Sequence, residues 1–125
     1  RILLAEDNEL NREIAAFLLK DEGISVTEAE DGQQAVECFL KMPEGYYDAV
    51  LMDIMMPAMD GYQAARAIRG SGKKDAETIP IIAMTANAFA EDKRKTMEAG
   101  MNAHLSKPLN VPELMDTIRK FCDGK

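Results

Sequence analysis

Five short apolar runs alternate along the chain with five stretches of helical periodicity. The runs occupy residues 2–5, 25–29, 49–52, 80–84 and 103–105. Three of them are almost continuously apolar, which predicts strands covered on both faces. The run at 25–29, SVTEA, alternates instead and predicts a strand nearer a sheet edge. Leu10, Ile14, Phe17 and Leu18 follow an i, i+4, i+7, i+8 spacing on a first helix that Gly23 ends. Ala35, Val36, Phe39 and Leu40 repeat the theme after Asp31-Gly32, and Tyr62, Ala65 and Ile68 mark a third helix stopped by the GSG at 70–72. Phe89, Lys93 and Met97 predict a fourth helix ending at Gly100. Leu114, Ile118, Phe121 and Cys122 predict a fifth, with Pro112 in its first turn.

Strict strand–helix alternation implies a parallel sheet with helices on both faces. Right-handed crossovers then leave few topologies, of which the order 2-1-3-4-5 is expected. The polar, Gly-rich segment at 70–78 predicts a mobile surface loop. If Leu10, Ile14, Phe17 and Leu18 face the core, Leu19 points nearly the opposite way at about 100° per residue. Ala15 and Ala16 flank it, so an exposed apolar strip of Ala15, Ala16 and Leu19 is expected.

A chain of 125 residues, 46% apolar and 30% charged, is expected to form one domain, 1-125, around a single core. It opens on Arg1 without a starting Met, which is expected of a piece excised from a longer protein. No apolar run has the length needed to span a bilayer. The domain is therefore expected to be cytoplasmic, to make no membrane contact and to be monomeric in isolation, whether or not its parent is membrane-anchored. The net charge of -7, from 15 basic and 22 acidic residues, argues against nucleic-acid binding. Cys38 and Cys122 lack metal or redox spacing and are expected to be two buried thiols.

In open α/β sheets, ligands collect beyond the carboxyl ends of the strands, where strand order reverses. Here Glu6-Asp7 follow the first strand, Asp53 the third, Thr85 the fourth, and Ser106-Lys107-Pro108 the fifth. Three facing carboxylates resist joint ionisation. A hard divalent cation relieves their repulsion, and an all-oxygen donor set suits Mg²⁺. Lys107 supplies a point charge for a phosphoryl oxygen and Thr85 a hydroxyl donor. An Asp in such company is a suitable nucleophile for phosphoryl transfer, giving an aspartyl phosphate. Each residue also has a plainer reading. Glu6 and Asp7 suit a helix N-terminus, Thr85 a strand end and Lys107 a solvated surface. Met55, Met56 and Met59 read as packing rather than sulfur ligands, and the KRK at 93–95 as a solvated helix face. Only the combination at four strand ends promotes them.

The segments LLAEDN, LMDIMMPAMDG, PIIAMTANA and HLSKP, in this order and spacing, closely resemble the receiver domain of two-component response regulators. The likeness covers essentially the whole chain. It implies a flavodoxin-like (βα)5 three-layer sandwich with a parallel five-stranded sheet. It implies that Asp53 accepts a phosphoryl group from a phosphohistidine on a histidine kinase or histidine phosphotransfer domain, in a Mg²⁺-dependent reaction. Glu6, Asp7, Asp53 and the backbone carbonyl of Met55 would hold the metal. Thr85 and Lys107 would bind the phosphoryl group, and the Lys107–Pro108 peptide would be cis. Such a domain phosphorylates and dephosphorylates itself and is not a turnover enzyme. The segments EDNELNREI and TANAFAEDKRKTMEAGMNAHLSKPL are most similar to receivers fused to hybrid sensor histidine kinases.

The chain departs from the family pattern in places. Glu6 stands where Asp is frequent, and His104, a pH-sensitive side chain, where many receivers carry Tyr or Phe at a switch position. Met55 and Asn87 each lie two residues beyond a key residue, at positions where receivers vary phosphate lifetime. An apolar Met55 cannot hydrogen-bond an attacking water, which predicts a longer-lived phosphate than Asn would give. The strip of Ala15, Ala16 and Leu19 is expected to receive a partner helix, in line with the family's habit of meeting helical phosphotransfer bundles near the first helix. An aspartyl-phosphate phosphatase on a similar sheet is one rival reading. It would need a second acid two residues after the nucleophile, where Met55 stands. A docking module that is never phosphorylated is the other, and the intact acid–Lys–Thr set weighs against it.

Overall fold

The computed structural model describes residues 1–56, 59–85, 93–107 and 109–122, the side chains of Lys93 and Cys122 excepted. Its elements run β1 (Ile2–Ala5), α1 (Glu9–Asp21), β2 (Val26–Ala29), α2 (Gly32–Lys41), β3 (Ala49–Asp53), α3 (Gly61–Arg69), β4 (Ile81–Thr85), α4 (Lys93–Glu98), β5 (Ala103–Ser106) and α5 (Val111–Cys122). All strand pairs are parallel and the sheet order is β2-β1-β3-β4-β5, as the alternation predicts. SVTEA does lie at one edge.

The central strands alternate between two apolar layers. Leu3, Ala5, Val50, Met52, Ile81 and Ala83 pack with α2 and α3 through Ala35, Phe39, Ala65 and Ile68. Ile2, Leu4, Ala49, Leu51, Ile82 and Met84 pack with α1 and α5 through Ala15, Leu19, Leu114 and Ile118. Both faces of the sheet are therefore covered, which explains why these strands read as continuous apolar runs.

Local signals set the helix ends. Asn8, Asp31 and Asp60 cap α1, α2 and α3, each accepting from the backbone N–H three residues on. Asp60 and Gln63 complete a reciprocal capping box. Gly61 allows α3 to begin directly against the end of β3. A Cβ there would fall 2.4 Å from the Asp53 carbonyl oxygen.

Three expectations need correction. The core-facing side of α1 is Ala15, Ala16 and Leu19, with Leu19 fully buried. Leu10 and Phe17 are instead 64% and 66% exposed, and Ile14 is exposed beside them. Arg12, Ala15, Ala16 and Leu19 form an equally regular i, i+3, i+4, i+7 stripe. That stripe is the one buried, Ala15, Ala16 and Leu19 belonging to the apolar layer with Ile2, Leu4, Leu51, Ile82 and Met84.

The segment at 70–78 is tied down rather than free. Lys73 Nζ donates to the carbonyls of Phe39 (2.7 Å) and Met42 (2.6 Å), Asp75 accepts from Gly45 N (2.8 Å), and Ala76 is buried. Cys38 is a half-buried free thiol rather than a fully buried one. Phe89, Asn87, the Lys107–Pro108 peptide and the side chain of Cys122 lie outside the described residues.

Candidate functional site

The carboxyl ends of β1, β3 and β4 and the residue following β5 converge at one end of the sheet. Asp53 and Thr85 are the last residues of their strands, and both are buried. Glu6 follows β1 and is only 1% exposed, whereas Asp7 is exposed on the rim. Carboxylate oxygens of Glu6, Asp7 and Asp53 all lie within 4.8 Å of one another.

Lys107 enters this group from the end of β5. Its backbone N–H donates to the Thr85 carbonyl at 2.8 Å, which joins the ends of β4 and β5. Its ammonium lies 2.6 Å from Glu6 Oε1 and 3.0 Å from Asp53 Oδ2. The other Asp53 oxygen, Oδ1, accepts from Met55 N at 3.2 Å. Beyond Asp7 a cleft opens, lined by Met55, Met56, Asp60, Tyr62 and Lys95. The Met55 side chain is 71% exposed there.

The electrostatics follow from burial and crowding. Burial pushes the Asp53 carboxyl up from 3.8 to about 7; the adjacent Glu6 adds to the rise and Lys107 opposes it. Burial acts to raise Glu6 too, but hydrogen bonding with Asp53 and the Lys107 ammonium outweigh it and hold Glu6 below its usual range. The two acids titrate as a pair. Burial works to lower Lys107, yet its two carboxylate partners keep it above its ordinary value, and so charged.

With the site fully ionised, Glu6 Oε2 is buried without a hydrogen-bond partner. An unsatisfied buried oxygen beside two further carboxylates wants a proton or a cation. The donor set is all oxygen and partly solvent-facing, so it fits Mg²⁺.

The structure thus brings Glu6, Asp7, Asp53 and Lys107 together, with Thr85 at the neighbouring strand end. His104 stands apart on β5, half-buried, with Nε2 2.7 Å from the hydroxyl of buried Thr96 on α4. Ala15, Ala16 and Leu19 cannot offer a docking strip, because they are buried between α1 and the sheet. Sequence reasoning also missed Arg12, whose Nη1 donates to the Glu6 carbonyl at 3.0 Å. Its place on the Ala15–Ala16–Leu19 stripe was the available signal.

Residues 2–119 match the family model of the response regulator receiver domain. The chain belongs to this family. The receiver is 41% identical over 124 residues to hybrid signal transduction histidine kinase B of Dictyostelium discoideum, covering 92% of the chain and 6% of that protein. It is 37% identical over 122 residues to sensor protein GacS of Pseudomonas syringae pv. syringae, covering 97% of the chain and 13% of that protein. The chain therefore spans only a small part of the length of such curated relatives.

Among solved structures, the receiver domain of a sensor histidine kinase from Pseudomonas aeruginosa superposes with a TM-score of 0.85 at 40% identity, covering 97% of this chain and 95% of that one. That structure has a magnesium ion coordinated in its active-site cleft. The receiver of a Saccharomyces cerevisiae response regulator, co-crystallised with a histidine phosphotransfer protein, superposes with a TM-score of 0.82 at 32% identity, covering 97% of this chain and 87% of that one. This chain shares the receiver fold with both structures, and its own Glu6, Asp7 and Asp53 form an acidic cluster that could hold a metal ion.

Proposed function

We propose that this receiver accepts a phosphoryl group on Asp53 from a phosphohistidine and later loses it by hydrolysis. The observation that carries the reading is the convergence of three carboxylates within 4.8 Å, with Lys107 3.0 Å from Asp53. Asp53 would attack phosphorus, forming an acyl-phosphate P–O bond as the P–N bond to the donor imidazole breaks. The imidazole nitrogen leaves with the bonding pair and takes up a proton. Lys107, already paired with Asp53, offsets negative charge on the transferred oxygens. Thr85, at the adjoining strand end, supplies a hydroxyl to the same group.

Glu6, Asp7, Asp53 and the Met55 carbonyl would hold Mg²⁺, which when bound neutralises charge on the acids and the incoming phosphoryl group. Hydrolysis reverses the modification, water attacking phosphorus and releasing phosphate. The donor would be a histidine kinase or histidine phosphotransfer domain. Its helical surface would meet the exposed Leu10, Ile14 and Phe17 of α1, beside a small pocket lined by Asn11, Ile14, Lys107 and Leu109. The known complex of a receiver with a phosphotransfer protein supports such a pairing.

The relatives support a place for this domain within a longer hybrid kinase. Among the described residues no helix is long and apolar enough to cross a membrane. The domain would sit on the cytoplasmic side, where the free thiol of Cys38 suits a reducing compartment. His104, bonded to Thr96, ties β5 to α4 and would carry the phosphorylated state to that face.

The test is incubation with Mg²⁺ and a small acyl-phosphate donor, comparing wild type with Asp53→Ala by intact mass. Wild type is expected to gain one phosphate-sized increment and Asp53→Ala none. An unmodified wild type would end the proposal.

A further inference from the structure

Arg12 is nearly buried although it is charged, its side chain being only 13% exposed. It lies on the inward stripe of α1 with Ala15, Ala16 and Leu19. Its guanidinium joins three segments. Nη1 donates to the Glu6 carbonyl at 3.0 Å, Nε is 3.5 Å from Glu28 Oε1 on β2, and Nη2 is 4.0 Å from Glu30 Oε1 just beyond. The Glu6 N–H is engaged as well, donating to the Ala29 carbonyl at 3.1 Å. Both main-chain polar groups of Glu6 are therefore held from the β2 side, one of them through Arg12. Asp7 follows directly, and Asn8 then caps α1.

We infer that Arg12 is a positioning residue for the metal-binding acids, holding the turn at 6–8 through the Glu6 carbonyl so that Glu6 and Asp7 face Asp53. The inference rests on the Mg²⁺ reading of the site. A planar guanidinium can serve a carbonyl and two carboxylates at once, which a lysine ammonium on a flexible stem does less well.

Positioning and simple electrostatics make opposite forecasts. Removing a cation from beside an already acidic site, in a chain of net charge -7, should strengthen Mg²⁺ binding if charge alone matters. If Arg12 orients the acids, its loss weakens binding. Partners that orient metal ligands from outside commonly change affinity by about 10–100-fold, and an effect relayed through a backbone carbonyl belongs at the lower end.

The experiment is calorimetric titration of MgCl₂ into metal-free wild type, Arg12→Met, Arg12→Lys and Lys20→Met. Lys20 is the other cation near Glu28, at 4.0 Å, and has no bond to Glu6 in the described contacts. Arg12→Met is expected to bind Mg²⁺ about tenfold more weakly, with Arg12→Lys in between and Lys20→Met unchanged or tighter. Affinity in Arg12→Met equal to or above wild type overturns the inference, as does an equal loss in Lys20→Met. Should Arg12→Met fail to fold, Arg12→Lys carries the test, and wild-type affinity there overturns it. A wild type that binds no Mg²⁺ removes the metal reading and this inference together. A wild type that binds Mg²⁺ but is never phosphorylated on Asp53 removes only the phosphotransfer reading.

Discussion

At the scale of single residues, the site is governed by one strong conflict. Asp53 and Glu6 are both buried and adjacent, and a single lysine cannot satisfy two full charges in that setting. The outcome is one carboxyl, Asp53, pushed up to about 7 beside another, Glu6, held below its usual range. Next to this pair, Met55 puts a thioether where the cleft opens to water. Apolar there, it cannot align a water for attack on a phosphorylated Asp53. Met55→Asn is expected to accelerate loss of the phosphate by up to about tenfold, the worth of roughly one hydrogen bond in the transition state. Following dephosphorylation of the modified protein after donor removal checks this, and an equal or slower rate in Met55→Asn would show that the thioether is not protective.

At the scale of elements, α1 separates a packed face from an exposed apolar one. Its inner stripe combines Ala15 and Ala16 with the buried Leu19 and a charged Arg12, while Leu10, Ile14 and Phe17 are exposed on the outer one. Leu19→Ala is accordingly expected to cost about 2–5 kcal/mol of stability, as for other fully buried leucines. Phe17→Glu, at an exposed position, is expected to leave stability within about 0.5 kcal/mol. It should slow phosphotransfer from a histidine phosphotransfer protein while leaving modification by a small acyl-phosphate donor unchanged. Denaturant melts and the two transfer assays, run side by side, decide the matter. If Phe17→Glu accepts phosphate from the protein donor at the wild-type rate, the outer stripe has no part in docking.

At the scale of the whole molecule, stability is linked to the site's protonation and metal occupancy. Asp53 titrates at about 7 in the folded domain against an ordinary 3.8. Between those values the native state binds more protons than the unfolded chain, so stability falls as pH rises. The contribution is fully present below 3.8 and is lost as pH passes through about 7. Glu6, held low, acts in the opposite sense only at the acidic end, where its contribution disappears as pH falls through its folded value. Metal-free Asp53→Asn is therefore expected to melt higher than wild type at pH 8, with the gap closing towards pH 5. Mg²⁺ at a hundredfold excess over its dissociation constant should stabilise wild type by about 2.7 kcal/mol and shrink the gap at pH 8. Thermal melts across pH, with and without MgCl₂, test both. A pH-independent gap would mean that Asp53 ionisation does not destabilise the fold.

Much of this protein can be read from the order of its residues. Apolar runs with no polar alternation pointed to strands covered on both sides, and strict alternation with helices left few strand orders, of which 2-1-3-4-5 was the one expected. The chemistry was legible for the same reason. Glu6, Asp7, Asp53, Thr85 and Lys107 all sit at carboxyl ends of strands, where topology gathers whatever the chain places there. Contacts between distant segments were not legible. Two stripes of α1 have equally good periodicity, and which of them faces inward is decided only by packing against the sheet. The polar segment at 70–78 looked free because its anchors, the carbonyls of Phe39 and Met42, belong to a helix end some thirty residues earlier. Period and composition report which residues could be buried. Rotation of a helix, the partner of a lysine and the charge state of a paired acid are set by long-range packing, and these arise only once the chain has folded.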